Sequence, residues 1–346
     1  MRSLEFNKLL FEDKNTILSL HDSKIKSMRL ILIVFVLALL MGCFNPVQNP
    51  IESLSLEEIH DQISLSETKQ ILYTLAADSM KGRDTKNGGF AKAADFVTSY
   101  FESNNIRPFY PNYRDSLQID GVISYNLVGQ IGDFDPTKKT VLLGAHLDHI
   151  GINPQKGDSI YNGANDNAAG TTAVLQISRF LASYDWDQNI LIALFAEEEK
   201  GLKGAYHLAE RMKNDHINLN YMVNFEMIGT VLTSGTNQVY ITGFERSNMA
   251  DVMNSIVPNF VQFLPEAKEF NLFKRSDNYA FYEKMNIPAQ TLSSFDFKNF
   301  DYYHQAGDEP HQLDIENMNQ IVRTAAFILA KMIHQKDTIE GYPEFE

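Results

Sequence analysis

Residues 140–170 read TVLLGAHLDHIGINPQKGDSIYNGANDNAAG, and the fold turns on how this stretch is read. Positions 140–145 form an apolar, β-prone run short enough for a buried strand. The run ends in His146, Leu147, Asp148 and His149. After a loop, Gly163-Ala164-Asn165-Asp166-Asn167-Ala168-Ala169-Gly170 opens a helical pattern. A buried strand ending in His-x-Asp brings a metal-type ligand to the sheet edge, and Asp148 is placed to steady the imidazole of His146. Asp166, at a helix start, is expected to be ionised because exposed backbone N–H groups favour the anion. Taken alone, the stretch also fits a hydrogen-bonded core histidine and a helix-capping aspartate.

Working outward, apolar runs at strand spacing alternate with helical spacing. Strands are expected at 125–131, 140–146, 189–196, 221–228, 238–242 and 288–295. Helices are expected at 66–80, 91–103, 168–183, 202–212, 245–257, 277–285 and 314–334. After Asn189 the run NILIALFA at 189–196 is continuously apolar, the mark of a strand covered on both faces. The alternation predicts an α/β three-layer sandwich with a mixed, mostly parallel central sheet.

Charged groups follow three of these strands. Glu197, Glu198 and Glu199 come straight after 189–196, and Glu226 lies near the end of YMVNFEMI at 221–228. Sites in open α/β sheets lie at the carboxyl ends of strands. Charges are costly to bury unless paired or bound to metal. Three convergent carboxylates with His146 therefore ask for a cation, and a His/carboxylate set without thiolate suits zinc or another divalent transition ion. The loop Tyr302-Tyr303-His304-Gln305-Ala306-Gly307-Asp308-Glu309-Pro310 offers a second imidazole. Singly, each feature has a plain reading as a solvated charge run or a surface histidine. Their joint order and spacing carries the metal reading.

With 44% hydrophobic residues among 346, the chain can build one large α/β domain. A net charge of −14 with no basic patch argues against nucleic acid as a partner. The single cysteine, Cys43, excludes an intrachain disulfide. Lys24, Lys26 and Arg29 precede an apolar run over 30–42, too short for a membrane span and suited to a signal h-region. Leu40-Met41-Gly42-Cys43 resembles a bacterial lipoprotein signal in which Cys43 becomes the lipidated first residue. Met41 fits that pattern imperfectly, and an uncleaved anchor is the alternative. Met28 is a more usual start, which would leave 1–27 untranslated. The expected location is outside the cytoplasm, lipid-anchored to a bacterial membrane.

Five boxes in order resemble the secreted di-zinc aminopeptidases of the bacterial leucyl aminopeptidase type. They are His146-Leu147-Asp148, Gly163 to Gly170, Glu198-Glu199-Lys200-Gly201-Leu202, Asn224-Phe225-Glu226-Met227-Ile228-Gly229 and Tyr303-His304. Met80-Lys81-Gly82-Arg83 and Arg275-Ser276-Asp277 also look like family stretches, and the likeness covers about residues 70–335. It implies two zinc ions bridged by Asp166. His146 and Glu226 would complete one set of ligands, Glu199 and His304 the other. Glu198 would be the general base, Asp148 would orient His146, and Glu197 would be a solvated or capping neighbour. Glu226 stands where the family usually has Asp, which leaves one-metal occupancy open.

The organisation implied is a leader at 1–43, a tether at 44–64, a zinc-dependent peptidase domain at 65–335 and a tail at 336–346. The function implied is hydrolysis of N-terminal residues from peptides through a zinc-activated water. Two rivals remain. Glutaminyl cyclases resemble this fold and ligand set with one zinc, and a Glu occurs among their ligands. A non-catalytic surface binding module is the other, although every matched ligand position here keeps a ligating side chain. Phe270, Phe273, Tyr279, Phe281, Phe295, Phe297 and Phe300 are candidates for an apolar side-chain pocket or for plain core. Neither oligomeric state nor side-chain preference is written in the sequence.

Overall fold

Strand β4 (Thr140–His146) is buried at every position and lies parallel between β7 (Asn189–Phe195) and β8 (Leu219–Phe225). Helices cover its faces and strands both its edges, which is why its sequence is apolar without alternation. The computed structural model describes residues 50–119, 121–336 and 338–342. The chain divides into Met1–Ser53 and Leu54–Glu346, and everything below concerns the second unit. The leader, Cys43 and the tether up to residue 49 lie outside the described residues.

Before the sheet come α1 (Leu56–Gln62), α2 (Leu65–Leu75) and α3 (Gly89–Ser103). Helix α1 falls in the stretch read as tether. Its N-terminus is closed by reciprocal Ser55 and Glu58 bonds, and it buries Ile59.

The first strands are β1 (Arg107–Pro108), β2 (Arg114–Ile119) and β3 (Val122–Ile131), with β5 (Gly151–Ile152) and β6 (Ile160–Tyr161) forming a separate hairpin after β4. Later come β9 (Val239–Ile241), β10 (Val261–Gln262) and β11 (Ala289–Ser293). Nine strands form the main sheet in the order β1-β3-β7-β4-β8-β11-β9-β10, with β2 also on β3. The four central strands, β7-β4-β8-β11, are mutually parallel, and antiparallel pairings flank them on both sides. Helix α4 (Gly170–Leu181) packs on β4, β7 and β8 and against α9 (Ile315–Gln335), α2 and α3. Helices α5 (Lys203–Asn214) and α8 (Asn278–Met285) pack together, on β3 and β8 respectively. The result is the expected α/β sandwich with a mixed central sheet.

Differences from expectation have local causes. The helix expected from 168 starts at Gly170, because 164–169 winds as a wider turn in which Asp166 and Asn167 leave helical φ/ψ. The strand expected over 221–228 ends at Phe225, which places Glu226 just beyond the ladder. The helix expected over 245–257 begins late, as α6 (Met249–Ile256), because Ser247 is extended and its hydroxyl accepts the Met249 N–H; the short α7 (Pro265–Glu269) follows it. Among the described residues no helix is long and apolar enough to cross a membrane.

Candidate metal centre

Three parallel strands deliver the candidate ligating side chains at their carboxyl ends. His146 closes β4, Glu197 to Glu199 follow β7, and Glu226 follows β8. The Gly-Ala-Asn-Asp-Asn box is pinned between them by side-chain amides. Asn167 donates to the Phe225 carbonyl and accepts the N–H groups of Gly170 and Met227. Asn165 accepts the Gly229 N–H. Gly163 sits at φ 56°, and a Cβ there would meet the Asp166 carbonyl at 2.3 Å and the His149 ring at 2.4 Å.

The fourth support comes from the last loop. The buried carboxylate of Asp308 accepts the N–H groups of Asn165 at 2.7 Å and Asp166 at 3.0 Å. That ties the His304 loop to the Asp166 turn. Arg83, fully buried, donates to the carbonyls of Leu75, Leu147, Asn162, Gly163 and Asp166. It fastens both ends of the loop between His146 and Asp166. Gly82 makes this possible, because a Cβ there would meet the carbonyls of Gly151 and Tyr161 at 2.5 Å.

Asp166 is the hub. Its Oδ1 lies 3.2 Å from Nε2 of His146, and its Oδ2 lies 3.1 Å from Nε2 of His304. His304 Nε2 is also 3.2 Å from Oε2 of Glu199. Ligand atoms of His146, Asp166 and Glu226 lie within 4.8 Å of one another, and so do those of His149, Asp166 and Glu199. All five expected ligand positions therefore come together, and His149 joins them. His149 Nδ1 is 2.7 Å from Oε1 of Glu199. The signal for it was present in the His-x-Asp-His spacing, since a residue one step past Asp148 remains at the same sheet edge.

Three further positions differ from the sequence reading. Asp148 meets His146 Nδ1 through its backbone carbonyl at 3.1 Å, while its carboxylate is 3.8 Å away and accepts the Glu198 N–H at 3.1 Å. Glu197 is not solvated; it is buried and ion-paired with Lys200 at 2.8 Å. Asp166 is held ionised by imidazoles rather than by a helix N-terminus. Burial alone would raise its pKa, and His146 with His304 brings it well below the ordinary carboxylate value.

The electrostatics of the cage point one way. Burial pushes Glu198 well above the carboxylate range, with Glu226 and Asp277 adding to it against His146. Burial likewise pushes Glu226 up to about 7. Burial works against the charged form of His146, yet Glu198, Asp166 and Glu226 hold its pKa well above the usual value. Glu198, Glu226 and His146 are pushed towards their protonated forms while Asp166 and Glu199 stay ionised, so the buried acids outweigh the positive charge available to them. The buried atoms His149 Nε2 and Glu226 Oε2 have no hydrogen-bond partner, and His146 Nε2 has only Asp166 Oδ1 at 3.2 Å, outside hydrogen-bond geometry. Unpartnered ligand atoms converging in a buried carboxylate–imidazole set fit a divalent cation.

Fold and site together define an α/β protein with a candidate metal centre, its imidazole and carboxylate groups gathered at the carboxyl ends of parallel strands. A family model described as Peptidase family M28 matches residues 126–329, and the chain belongs to that family. Over 98 residues the chain is 38% identical to a "Probable zinc metalloprotease" of Pyrenophora tritici-repentis, covering 28% of this chain and 22% of the relative. The chain thus spans about a fifth of that protein's length. The fold is similar to that of the Legionella pneumophila LapA aminopeptidase, with TM-score 0.65 and 19% identity over 80% of this chain and 75% of that one. It is also similar to Porphyromonas gingivalis glutaminyl cyclase, with TM-score 0.60 and 16% identity over 79% and 99% of the two chains.

Proposed function

We propose that this chain is a zinc-dependent exopeptidase that removes N-terminal residues from peptides. The observation that carries the reading is the sharing of Asp166 by two ligand groups, with Glu198 beside them. His146, Asp166 and Glu226 would hold one ion. Asp166, Glu199 and His304 would hold the other, with His149 on the same pair. A divalent ion in such a cage supplies Lewis acidity and lowers the pKa of a water.

The protein's own groups do the rest. Glu198, held by its backbone on Asp148, takes the proton of the attacking water and passes it to the leaving amine. Asp148 fixes the orientation of His146 through its carbonyl. His304, stacked on Tyr303 with ring centroids 4.0 Å apart, is the most exposed of the proposed ligands.

The glutaminyl cyclase reading survives on one feature, a glutamate rather than an aspartate at position 226. The proposed domain spans 65–335, exported and held to a bacterial membrane through lipidated Cys43. Cleavage of aminoacyl-anilides that is abolished by a chelator and restored by zinc tests the enzyme reading. Formation of pyroglutamate from N-terminal Gln peptides, without anilide cleavage, would replace it with the cyclase.

A further inference from the structure

Beside Glu226 a pocket open to solvent runs back between β9, β11 and the turn before α8. The aromatic residues suspected from sequence do not shape most of it. Phe281 packs on Phe195 in the core, and Phe273 packs on Tyr279 and Tyr282. Only Phe295 and Phe297 of that group line the pocket. Hydroxyl side chains, Thr242, Ser276, Thr291 and Ser293, line it instead, together with Arg275.

Arg275 is the unusual member. Eight arginines are described, and seven of them hydrogen-bond, pair with a carboxylate or lie over an aromatic ring. Arg275 alone among the described arginines has no side-chain partner, in a chain with 44 acidic and 30 basic residues. Its backbone is fixed, with its N–H on the Leu272 carbonyl and the next residue, Ser276, accepting from Asn224. The guanidinium is exposed, and its charge reaches Tyr240 and Tyr303, both of which line the pocket. Glu226 is the one carboxylate lining the same pocket, and it is committed to the His146 group.

A free guanidinium over a hydroxyl-lined pocket is complementary to a carboxylate, which it can bind through two parallel, charge-assisted hydrogen bonds. We propose that this pocket receives the side chain of the substrate's N-terminal residue and selects an acidic one, glutamate or aspartate, through Arg275. This rests on the exopeptidase reading and adds the substrate class to it. The apolar walls, Met227, Leu272, Phe295 and Phe297, suit the methylene stem of such a side chain.

The test compares Glu-, Gln-, Leu- and Lys-anilides on the zinc-loaded protein and on Arg275→Gln and Arg275→Glu. The Glu/Gln pair isolates the charge at nearly constant shape. The wild type is expected to favour Glu over Gln about tenfold or more in kcat/KM, Arg275→Gln to lose that ratio, and Arg275→Glu to turn the preference towards Lys. An unaltered Glu/Gln ratio in both variants overturns the assignment while leaving the peptidase reading intact. A terminal carboxylate is distinguished by Leu-Gly against Leu-Gly-amide. An Arg275 effect confined to that pair would move the contact to the peptide's other end and overturn the side-chain claim. If no anilide is cleaved, the exopeptidase reading fails. Equilibrium binding of free L-glutamate against L-glutamine to the same proteins then decides the pocket without turnover: tighter glutamate binding that Arg275→Gln removes supports it, and equal binding overturns it.

Discussion

The carboxylate of Asp148 accepts the backbone N–H of Glu198 at 3.1 Å, while the backbone carbonyl of Asp148 faces Nδ1 of His146 at the same distance. One residue therefore holds both the proposed ligand imidazole and the proposed base, by joining the turn after β4 to the turn after β7. Asp148→Ala removes only the carboxylate link to Glu198. Glu198 should then wander while His146 keeps its carbonyl partner. The expected outcome is a fall in kcat of roughly 10–100-fold with most of the bound metal retained. Equal loss of metal and activity would mean that Asp148 acts on the ligands alone.

Arg83 satisfies the carbonyls of five buried residues. Lysine carries the charge but not the planar fork, so Arg83→Lys leaves several of these acceptors bare. Loss of about 3 kcal/mol or more of stability is expected in denaturant unfolding. Metal affinity should fall with it, because the same carbonyls flank His146 and Asp166. A variant as stable as the wild type would contradict the role given to the clasp.

His149 places Nδ1 on Glu199 and leaves Nε2 buried without a partner. Its removal should weaken metal binding about 10–100-fold, whether it ligates directly or holds Glu199 in place. Competition with a chromogenic chelator, comparing His149→Ala with His304→Ala, measures this. Unchanged affinity in His149→Ala would exclude it from the centre.

In the metal-free protein, burial works against the charged form of His304, but Asp166 and Glu199 outweigh it and raise its pKa to about 10. The folded value lies above the ordinary one near 6.5. The imidazolium therefore stabilises the metal-free fold fully below about pH 6.5, and that contribution is lost as the pH rises through about 10. A ligand imidazole must be neutral, so metal must displace this proton. Zinc binding near pH 7.5 should release about one proton or more per chain, and apparent affinity should rise with pH. Calorimetry in buffers of different ionisation enthalpy reads the proton count. A count of zero would contradict the placement of His304 in the centre.

Much of this was legible because the central strands announce themselves. β4 and β7 are continuous apolar runs, and each is followed at once by the polar groups it delivers, so strand and site were visible together. Strands β1 and β2 escaped notice. The first has two residues, and the second alternates exposed and buried positions with Asp115 as one of its inward groups, which hides the apolar period. The distorted turn at 164–169 was equally invisible, because its shape is imposed by distant partners, Asp308 and Phe225, rather than by local propensity. His149 could have been found from its spacing. Its approach to Glu199 could not, because that depends on the pairing of β4 with β7.

The most direct measurement is the zinc-to-protein ratio, by elemental analysis, of wild type, Asp166→Ala and Glu198→Gln, taken alongside anilide cleavage. The account predicts about two ions per chain in the wild type, retention of metal with loss of turnover in Glu198→Gln, and loss of metal first in Asp166→Ala. An unchanged metal content in Asp166→Ala, or full activity in Glu198→Gln, would contradict it.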